Sequence, residues 1–297
     1  MSADSTEKQT TASITTSAWC VVGGGNMAQA IVRGATASGQ IEPDRFVIVE
    51  PDHAKRAAFA SRGVKARANV TEAASLLAAI EPGRGHGHFI LAVKPQVFPQ
   101  VAPELRALLD TLPRRVVSIM AGLPSTQIEA ALGPNARVLR LMPNTPAQIR
   151  MSTTSWARGV SAKLGDEIET TALFATLGMT IELEERLFDA FTAVAGSGPA
   201  YLFYLAEAMV NAAKNEGIDA EASARIVRSV LVGSSELLRT SPTIAPSELR
   251  KHVSSKGGTT EAAIHVLDES GVLNAIERAI GAATSRGKML ASGKPAT

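Results

Sequence analysis

Short, almost continuously apolar runs alternate with amphipathic, alanine-rich segments from residue 19 to about residue 183. The apolar runs predict strands at Trp19–Val22, Phe46–Val49, His88–Val93, Val116–Ile119 and Val138–Leu141. Between them apolar residues recur with helical spacing, which predicts helices at Met27–Ser38, His53–Arg62, Thr71–Ala79, Pro99–Asp110 and Ser125–Leu132. A further strand–helix–strand unit is expected over residues 153–183. Apolar strands separated by amphipathic helices are typical of a mostly parallel, doubly wound sheet that is covered on both faces.

The pattern changes after Glu184, where strand-like alternation stops. Long helices are predicted at Phe188–Lys214, Ala220–Arg239 and Leu273–Leu290. Turn-forming residues separate the helical segments at Asn215–Gly217, Ser241–Pro246 and Gly257–Gly258. We therefore predict an α/β domain over residues 18–183 and an all-α domain over residues 184–297.

The predicted C-terminal helices are unusually apolar, as Phe203, Met209, Ile226 and Leu237 illustrate. A helical segment of roughly a hundred residues would cover this surface poorly on its own. We therefore expect it to pack against a second copy of the chain, in a homodimer or a larger homo-oligomer.

Composition narrows the class of protein. The 297 residues carry a net charge of +2, with scattered basic residues and 4% aromatic residues, which argues against a nucleic-acid surface. The single cysteine, Cys20, excludes an intrachain disulfide and fits a cytoplasmic location. Residues 1–17 are rich in Ser and Thr without an apolar core, so they predict a disordered leader and not a signal peptide. No apolar run is long enough to predict a membrane span.

The first predicted strand runs directly into Gly23-Gly-Gly25-Asn26-Met27-Ala28, a G-x-G-x-x-A fingerprint that opens a helix. Gly23 permits a tight turn, Gly25 lets a pyrophosphate approach the backbone, and Ala28 keeps the helix close to the sheet. Free amides and the helix dipole at such an N-terminus attract phosphates. The sequence therefore predicts a Rossmann domain that binds a dinucleotide cofactor, NADH or NADPH.

The second predicted strand ends at Glu50, where a carboxylate that binds the cofactor ribose is expected. A carboxylate there accepts hydrogen bonds from the 2′-hydroxyl and repels a 2′-phosphate, which favours NADH. Arg56, Arg62 and His53 follow closely and would neutralise a phosphate, unless they only form a solvated helix face. The sequence leaves the choice between NADH and NADPH open.

Loops at the carboxyl ends of later strands are expected to line the same crevice. They contribute Ala92, Val93, Lys94, Pro95, Ala121, Gly122 and Asn144 as further candidate cofactor contacts. Lys94 is equally compatible with a surface position and with a phosphate contact.

Three segments together resemble the pyrroline-5-carboxylate reductases: the Gly-Gly-Gly-Asn-Met run at 23–27, Met-Pro-Asn-Thr-Pro at 142–146, and residues 246–268, which contain Gly-Gly-Thr-Thr. The resemblance extends over most of residues 19–290. It implies a Rossmann domain followed by a helical dimerisation domain, and the reduction of (S)-1-pyrroline-5-carboxylate to L-proline with NAD(P)H. It also implies a cofactor contact at Asn69 and substrate contacts at Ser255, Gly257, Gly258, Thr259 and Thr260.

The chemistry of that loop fits the implied role. Gly257 and Gly258 precede a predicted helix over Thr259–Leu267, and backbone amides at its start would receive a substrate carboxylate. Thr260 is the catalytic candidate, as a hydrogen-bond donor to the ring nitrogen, whereas Thr259 is also a candidate N-cap. The family commonly has Pro where this chain has Lys256, which would loosen the loop or add a positive charge beside the anionic ligands.

Other chemistries have weaker support. His252 and His265 lie near the loop but are predicted to be surface or packing residues, and no cluster has metal-ligand spacing. The β-hydroxyacid dehydrogenases are similar in having a Rossmann domain followed by a helical domain. They carry a catalytic lysine, however, at the position where this chain has Leu202. The alternatives that stay open are an imine reductase of the same fold and a dinucleotide-binding sensor without turnover.

Overall fold

The computed structural model describes residues 17–81, 87–110 and 113–291. Within these ranges one sheet contains β1 (Trp19–Val22), β2 (Phe46–Val49), β3 (Lys65–Arg67), β4 (His88–Leu91), β5 (Arg114–Ser118), β6 (Ala136–Met142), β7 (Ser152–Arg158) and β8 (Gly178–Glu182). The strand order is β3-β2-β1-β4-β5-β6-β7-β8. Neighbouring strands are parallel except for the antiparallel pair β6–β7, so the predicted mostly parallel sheet is confirmed.

Helices cover both faces of the sheet. They are α1 (Asn26–Ala37), α2 (His53–Ala60), α3 (Val70–Ile80), α4 (Phe98–Leu109), α5 (Ser125–Leu132) and α6 (Asp166–Ala175). Alternate residues of β1 enter different cores: Trp19 and Val21 pack with α1 and α6, whereas Cys20 and Val22 pack with α3, α4 and α5. A strand with two buried faces must be apolar throughout, which is why β1 and β2 were recognisable as uninterrupted apolar runs.

The all-helical segment comprises α7 (Phe188–Phe191), α8 (Gly198–Asn215), α9 (Ala220–Thr240), α10 (Pro246–His252), α11 (Thr259–Glu269) and α12 (Val272–Ala291). The continuous helix predicted over Phe188–Lys214 is wrong in one respect, because a π-helical turn at Thr192–Gly196 separates α7 from α8. The extra residue of a π turn frees one backbone carbonyl from the regular α-helical pattern.

Contacts divide the chain into two compact units. Of the described residues, those from 17 to 196 and from 284 to 291 form the first unit, and residues 197–283 form the second. The boundary predicted near residue 184 thus differs from the division by contacts. Residues 185–196 belong with the sheet because two of them contact Arg140 of β6. The Phe188 ring is buried, and its centroid lies 4.9 Å from the central carbon of the Arg140 guanidinium. The Glu185 carboxylate forms an ion pair with the same guanidinium.

Strand β1 lies where the strand order reverses, since the chain adds β2 and β3 on one side of it and β4 to β6 on the other. The carboxyl ends of β1 and β4 therefore border the crevice in which open α/β sheets bind their ligands. The fingerprint turn leaves the sheet at this point.

Three further predictions concern the N-terminal leader, membrane-spanning helices and metal sites. The predicted leader lies outside the described residues except for Ser17, whose hydroxyl donates to Glu169. Across the described part of the chain, no helix has both the length and the apolarity to cross a membrane. The same residues contain no group of three or more His, Cys, Asp and Glu side chains placed to hold a metal ion.

The first residue of β4, His88, is largely buried beside three arginines, with the Glu169 carboxylate 4.0 Å from its Nε2. Its Nε2 accepts a hydrogen bond from Arg115 Nε at 3.1 Å. Burial, followed by the charges of Arg115, Arg137 and Arg114, lowers the pKa of His88 to about 3. The folded protein therefore keeps this imidazole neutral at pH values where an exposed histidine is protonated.

Acidification from pH 7 to pH 5 is expected to reduce the free energy of unfolding by about 2 kcal/mol through His88. The unfolded histidine takes up a proton near its ordinary pKa of 6.5, whereas the folded one resists protonation until about 3. This contribution is complete above pH 6.5 and is lost as the pH falls towards 3. Urea unfolding at fixed protein concentration would measure it, with His88→Gln as the control that loses this pH dependence. Equal pH dependence in both proteins would contradict the prediction.

Candidate active site

Gly23 forms the tight turn that follows β1. Its φ is +108°, and a Cβ atom there would lie 2.7 Å from the carbonyl oxygen of Ala92. Its amide donates to the Val49 carbonyl at 2.8 Å, so the turn is tied to β2 and lies against β4. A side chain is excluded at this position by both the backbone conformation and the available space.

Gly25 is the N-cap of α1 and faces open space. A Cβ atom at this position would meet no atom within 4 Å. The first hydrogen bond of α1 runs from Gln29 to the Gly25 carbonyl, so the amides of Asn26, Met27 and Ala28 precede the helical ladder. Free amides beside open space at a helix start fit a pyrophosphate, which is the group that the fingerprint predicts.

A cavity of about 430 Å³ opens beside this turn. It brings together seven of the predicted cofactor residues: Gly23, Gly25, Glu50, Asn69, Ala92, Val93 and Lys94. The other seven do not line it: Asn26, Met27, Ala28, Pro95, Ala121, Gly122 and Asn144. Sequence reasoning missed the contribution of Lys55 on α2 and of Val97, Gln100 and Glu104 around α4. The position of α4 directly after the Lys94 loop was the available signal for the last three.

Glu50 is buried at the end of β2, with 7% of its surface exposed. One carboxylate oxygen accepts from the Gly24 amide at 2.8 Å and the other from the Asp52 amide at 3.1 Å. Lys55 Nζ lies 3.9 Å from the same carboxylate. The ribose-binding candidate is thus held at the cavity wall by backbone hydrogen bonds that the sequence did not predict.

Two predicted cofactor residues, Asn69 and Asn144, form side-chain hydrogen bonds within the protein. Asn69 is the N-cap of α3, where its side chain accepts from the Glu72 amide at 2.9 Å and donates to the Glu72 carboxylate at 2.8 Å. This reciprocal pair caps the start of α3 and uses both ends of the Asn69 side-chain amide. Asn69 also lines the cavity, so its contact with a cofactor stays a prediction.

Asn144 braces the loop that follows β6. Its side-chain oxygen accepts from the Ser152 hydroxyl at 3.1 Å and from the Thr153 amide at 3.0 Å. Its side-chain nitrogen donates to the carbonyl of Ala195 in the π-helical turn at 2.9 Å. Asn144 therefore joins the end of β6 to the start of β7 and to the π-helical turn.

The predicted substrate loop lies within the second unit, before α11. Gly257 has a φ of +72°, and Gly258 is the N-cap of α11 without a side-chain cap. The alternative role of Thr259 as the N-cap is wrong, because Thr259 is the first residue inside the helix. The first hydrogen bond of α11 runs from Ala262 to the Gly258 carbonyl, so the amides of residues 259–261 precede the ladder and are placed to bind an anion.

Glu261 stabilises this loop, and sequence reasoning missed it. Its carboxylate accepts from the Gly257 amide at 2.6 Å. A glutamate three residues after the N-cap is the position from which a capping box reaches back, which was the available signal. Ser255 also packs into the turn, since a Cβ on Gly258 would lie 2.5 Å from the Ser255 hydroxyl oxygen.

The two histidines near the loop lie on the surface of the second unit. His252 is exposed at the end of α10, and His265 pairs with Glu269 across one turn of α11 at 3.3 Å. Lys256, the departure from the family pattern, is exposed in the loop.

Comparison with known proteins shows the same two segments. Residues 185–290 match the family model described as pyrroline-5-carboxylate reductase dimerisation, and residues 19–122 match that described as NADP oxidoreductase coenzyme F420-dependent. The chain is 33% identical over 256 residues to pyrroline-5-carboxylate reductase 2 of Bacillus subtilis, covering 84% of this chain and 86% of that protein. It is 32% identical to the pyrroline-5-carboxylate reductase of Haemophilus influenzae, covering 89% and 94% of the two chains.

A solved structure of a pyrroline-5-carboxylate reductase from Coxiella burnetii has a TM-score of 0.83 at 29% identity, covering 93% of this chain and 98% of that one. The Plasmodium falciparum pyrroline carboxylate reductase, solved with NADP bound, has a TM-score of 0.79 at 22% identity, with the same coverage. The second likeness supports the fold alone.

Proposed function

The chain belongs to the pyrroline-5-carboxylate reductase family, and from this premise we propose that it reduces (S)-1-pyrroline-5-carboxylate to L-proline with NADH or NADPH. The observation that carries the proposal is the identity of 33% across 84% of the chain, which extends over both the nucleotide segment and the dimerisation segment. This is the last step of proline biosynthesis.

The first unit would hold the dinucleotide. The amides at the start of α1 bind the pyrophosphate beside Gly25, where no side chain intrudes. Glu50 accepts hydrogen bonds from the adenosine ribose. When bound, the reduced nicotinamide supplies the hydride that converts the C=N bond of the substrate to an amine.

The second unit would hold the substrate. Amides at the start of α11 bind the ring carboxylate, and the Thr260 hydroxyl donates a hydrogen bond to the ring nitrogen. A protonated imine already carries the positive charge that favours reduction, so the task of the protein is to orient the ring and exclude water. This chemistry needs no strong acid–base pair, which agrees with the surface positions of His252 and His265.

The position where β-hydroxyacid dehydrogenases carry their lysine is occupied by Leu202, which ends in an aliphatic group and cannot protonate a carbonyl oxygen. That residue favours imine reduction over carbonyl reduction.

We further propose a homodimer built on residues 184–297, with residues 18–183 as the nucleotide-binding domain. The helices of the second unit expose large apolar side chains, including Phe203 (71%), Tyr204 (78%) and Val232 (70%), which a second copy would cover. A cytoplasmic location is proposed from the single cysteine, Cys20, whose thiol is buried and unpaired.

The test is a direct assay. Purified protein is mixed with pyrroline-5-carboxylate and NADH or NADPH, and cofactor oxidation is followed at about 340 nm, the absorbance of reduced nicotinamides. Chromatography then identifies L-proline. Cofactor oxidation without proline, or no turnover with either cofactor, would refute the proposed function.

Glu261→Ala is expected to raise the KM for pyrroline-5-carboxylate several-fold, because the Gly257 amide loses its acceptor and the loop loses its fixed geometry. The Kd for the dinucleotide should stay unchanged, since Glu261 does not line the nucleotide cavity. Glu261→Gln keeps a carbonyl acceptor and should recover most of the loss. A KM equal to wild type in the alanine variant would show that the hydrogen bond is dispensable.

A further inference from the structure

We propose that this chain selects NADH over NADPH, and that the Glu50 carboxylate is the group that excludes the 2′-phosphate. The inference rests on the proposed function, because it takes the cavity beside Gly23–Gly25 as the dinucleotide site. It goes beyond that function by assigning one cofactor and one residue responsible for the choice.

Glu50 cannot easily move out of the way of a phosphate. Its two oxygens are held by the amides of Gly24 and Asp52, and 7% of its surface is exposed. A Cβ at Gly24 would lie 2.9 Å from Glu50 Cγ, so the stem of the glutamate packs directly against the backbone of the fingerprint turn. Turning the carboxylate away would leave a buried amide without its acceptor, which is costly.

The fixed carboxylate meets the two cofactors differently. Each oxygen retains a lone pair, so the carboxylate can accept hydrogen bonds from a ribose hydroxyl. A 2′-phosphate replaces that donor with a group of charge near −2, which has only acceptors to offer and repels the carboxylate in a site partly shielded from water.

The nearby cations do not compensate. Arg56 donates from one nitrogen to the carbonyl oxygens of both Glu50 and Pro51, at 2.8 and 2.7 Å, and it does not line the cavity. It therefore closes the turn between β2 and α2. Arg62 and His53 are exposed and also lie outside the cavity lining.

Among the described residues that line the cavity, the cations are Lys55 and Lys94, and the anions are Glu50 and Glu104. Lys94 follows β4 at the far side of the fingerprint turn. Lys55 lies 3.9 Å from Glu50 with half of its side chain exposed, so the carboxylate already engages its charge and Lys55 does not form a separate phosphate site.

Isothermal titration calorimetry with NAD⁺ and NADP⁺ tests the proposal without turnover. Wild-type protein is expected to bind NAD⁺ more tightly by roughly 20-fold or more. Glu50→Gln removes the charge but keeps the size and one acceptor, and it should bring the two Kd values to within about threefold. Glu104→Gln is the matched control: it removes a carboxylate from the same cavity and should leave the preference unchanged.

The variant Lys55→Ala distinguishes exclusion of the 2′-phosphate by Glu50 from binding of the 2′-phosphate by Lys55. If Lys55 binds a 2′-phosphate, this variant loses affinity for NADP⁺ alone, and that result overturns the proposal. Equal or tighter binding of NADP⁺ by the wild type overturns it as well. Selective NAD⁺ binding without proline formation would refute the proposed function and support the selectivity, whereas binding of neither dinucleotide would refute both.

Discussion

Thr260→Ala is expected to lower kcat for proline formation roughly 100-fold, as loss of one hydrogen-bond donor to a developing charge does in other enzymes. Thr260 is the second residue of α11 and is half-buried. In other helical threonines, such as Thr36 and Thr171, the hydroxyl donates a hydrogen bond to a backbone carbonyl of the preceding turn. Within the described residues, the Thr260 hydroxyl makes no such bond and is free to meet a ligand.

The matched variant is Thr260→Ser, which restores the hydroxyl and should return kcat to within about fivefold of wild type. Steady-state kinetics measures both variants, and calorimetry should give an unchanged Kd for the dinucleotide because Thr260 lies outside the nucleotide cavity. An alanine variant with wild-type kcat would remove Thr260 from the mechanism.

Gly25→Val is expected to weaken dinucleotide binding by roughly 100-fold, about 2.7 kcal/mol, without unfolding the protein. No protein atom lies within 4 Å of the added Cβ, and the φ of −72° suits any residue, so the fold accepts the side chain. The isopropyl group instead occupies the space that a pyrophosphate needs in order to reach the amides of α1. Calorimetry measures the affinity and thermal unfolding measures the stability.

Gly23→Ala provides the contrast. Its Cβ would meet the Ala92 backbone at 2.7 Å in a positive-φ conformation, so this variant should lose about 2 kcal/mol or more of unfolding free energy. If Gly25→Val bound the dinucleotide as wild type does, the assignment of this turn to the pyrophosphate would be wrong.

The sequence predicted those elements whose signal is local and strong. The bounds of β1, β2 and α5 agree with the structure because buried strands are apolar throughout and α5 is flanked by Pro124 and Gly133. Strand β3 was missed, since Lys65-Ala-Arg67 is too short and polar to stand out from a loop. The π-helical turn was also missed, because composition does not distinguish it from an α-helix.

Prediction of the site from the sequence was limited in the same way, because only local signals were recognisable. The glycine positions and Glu50 were recognisable because they follow strands at fixed spacing. The partners of these residues were not, since the hydrogen bond from Gly24 to Glu50 joins residues 26 apart and that from Asn144 to Ala195 joins residues 51 apart. Such pairs depend on the sheet topology, which periodicity does not encode.

The antiparallel direction of β7 has a consequence for the loop after β6. Because β7 runs opposite to β6, its first residues, Ser152 and Thr153, begin beside that loop and hold the side chain of Asn144. The loop is consequently preorganised: its conformation is set by the protein before any ligand arrives. A ligand that contacts this loop would then cause little further loss of conformational entropy there.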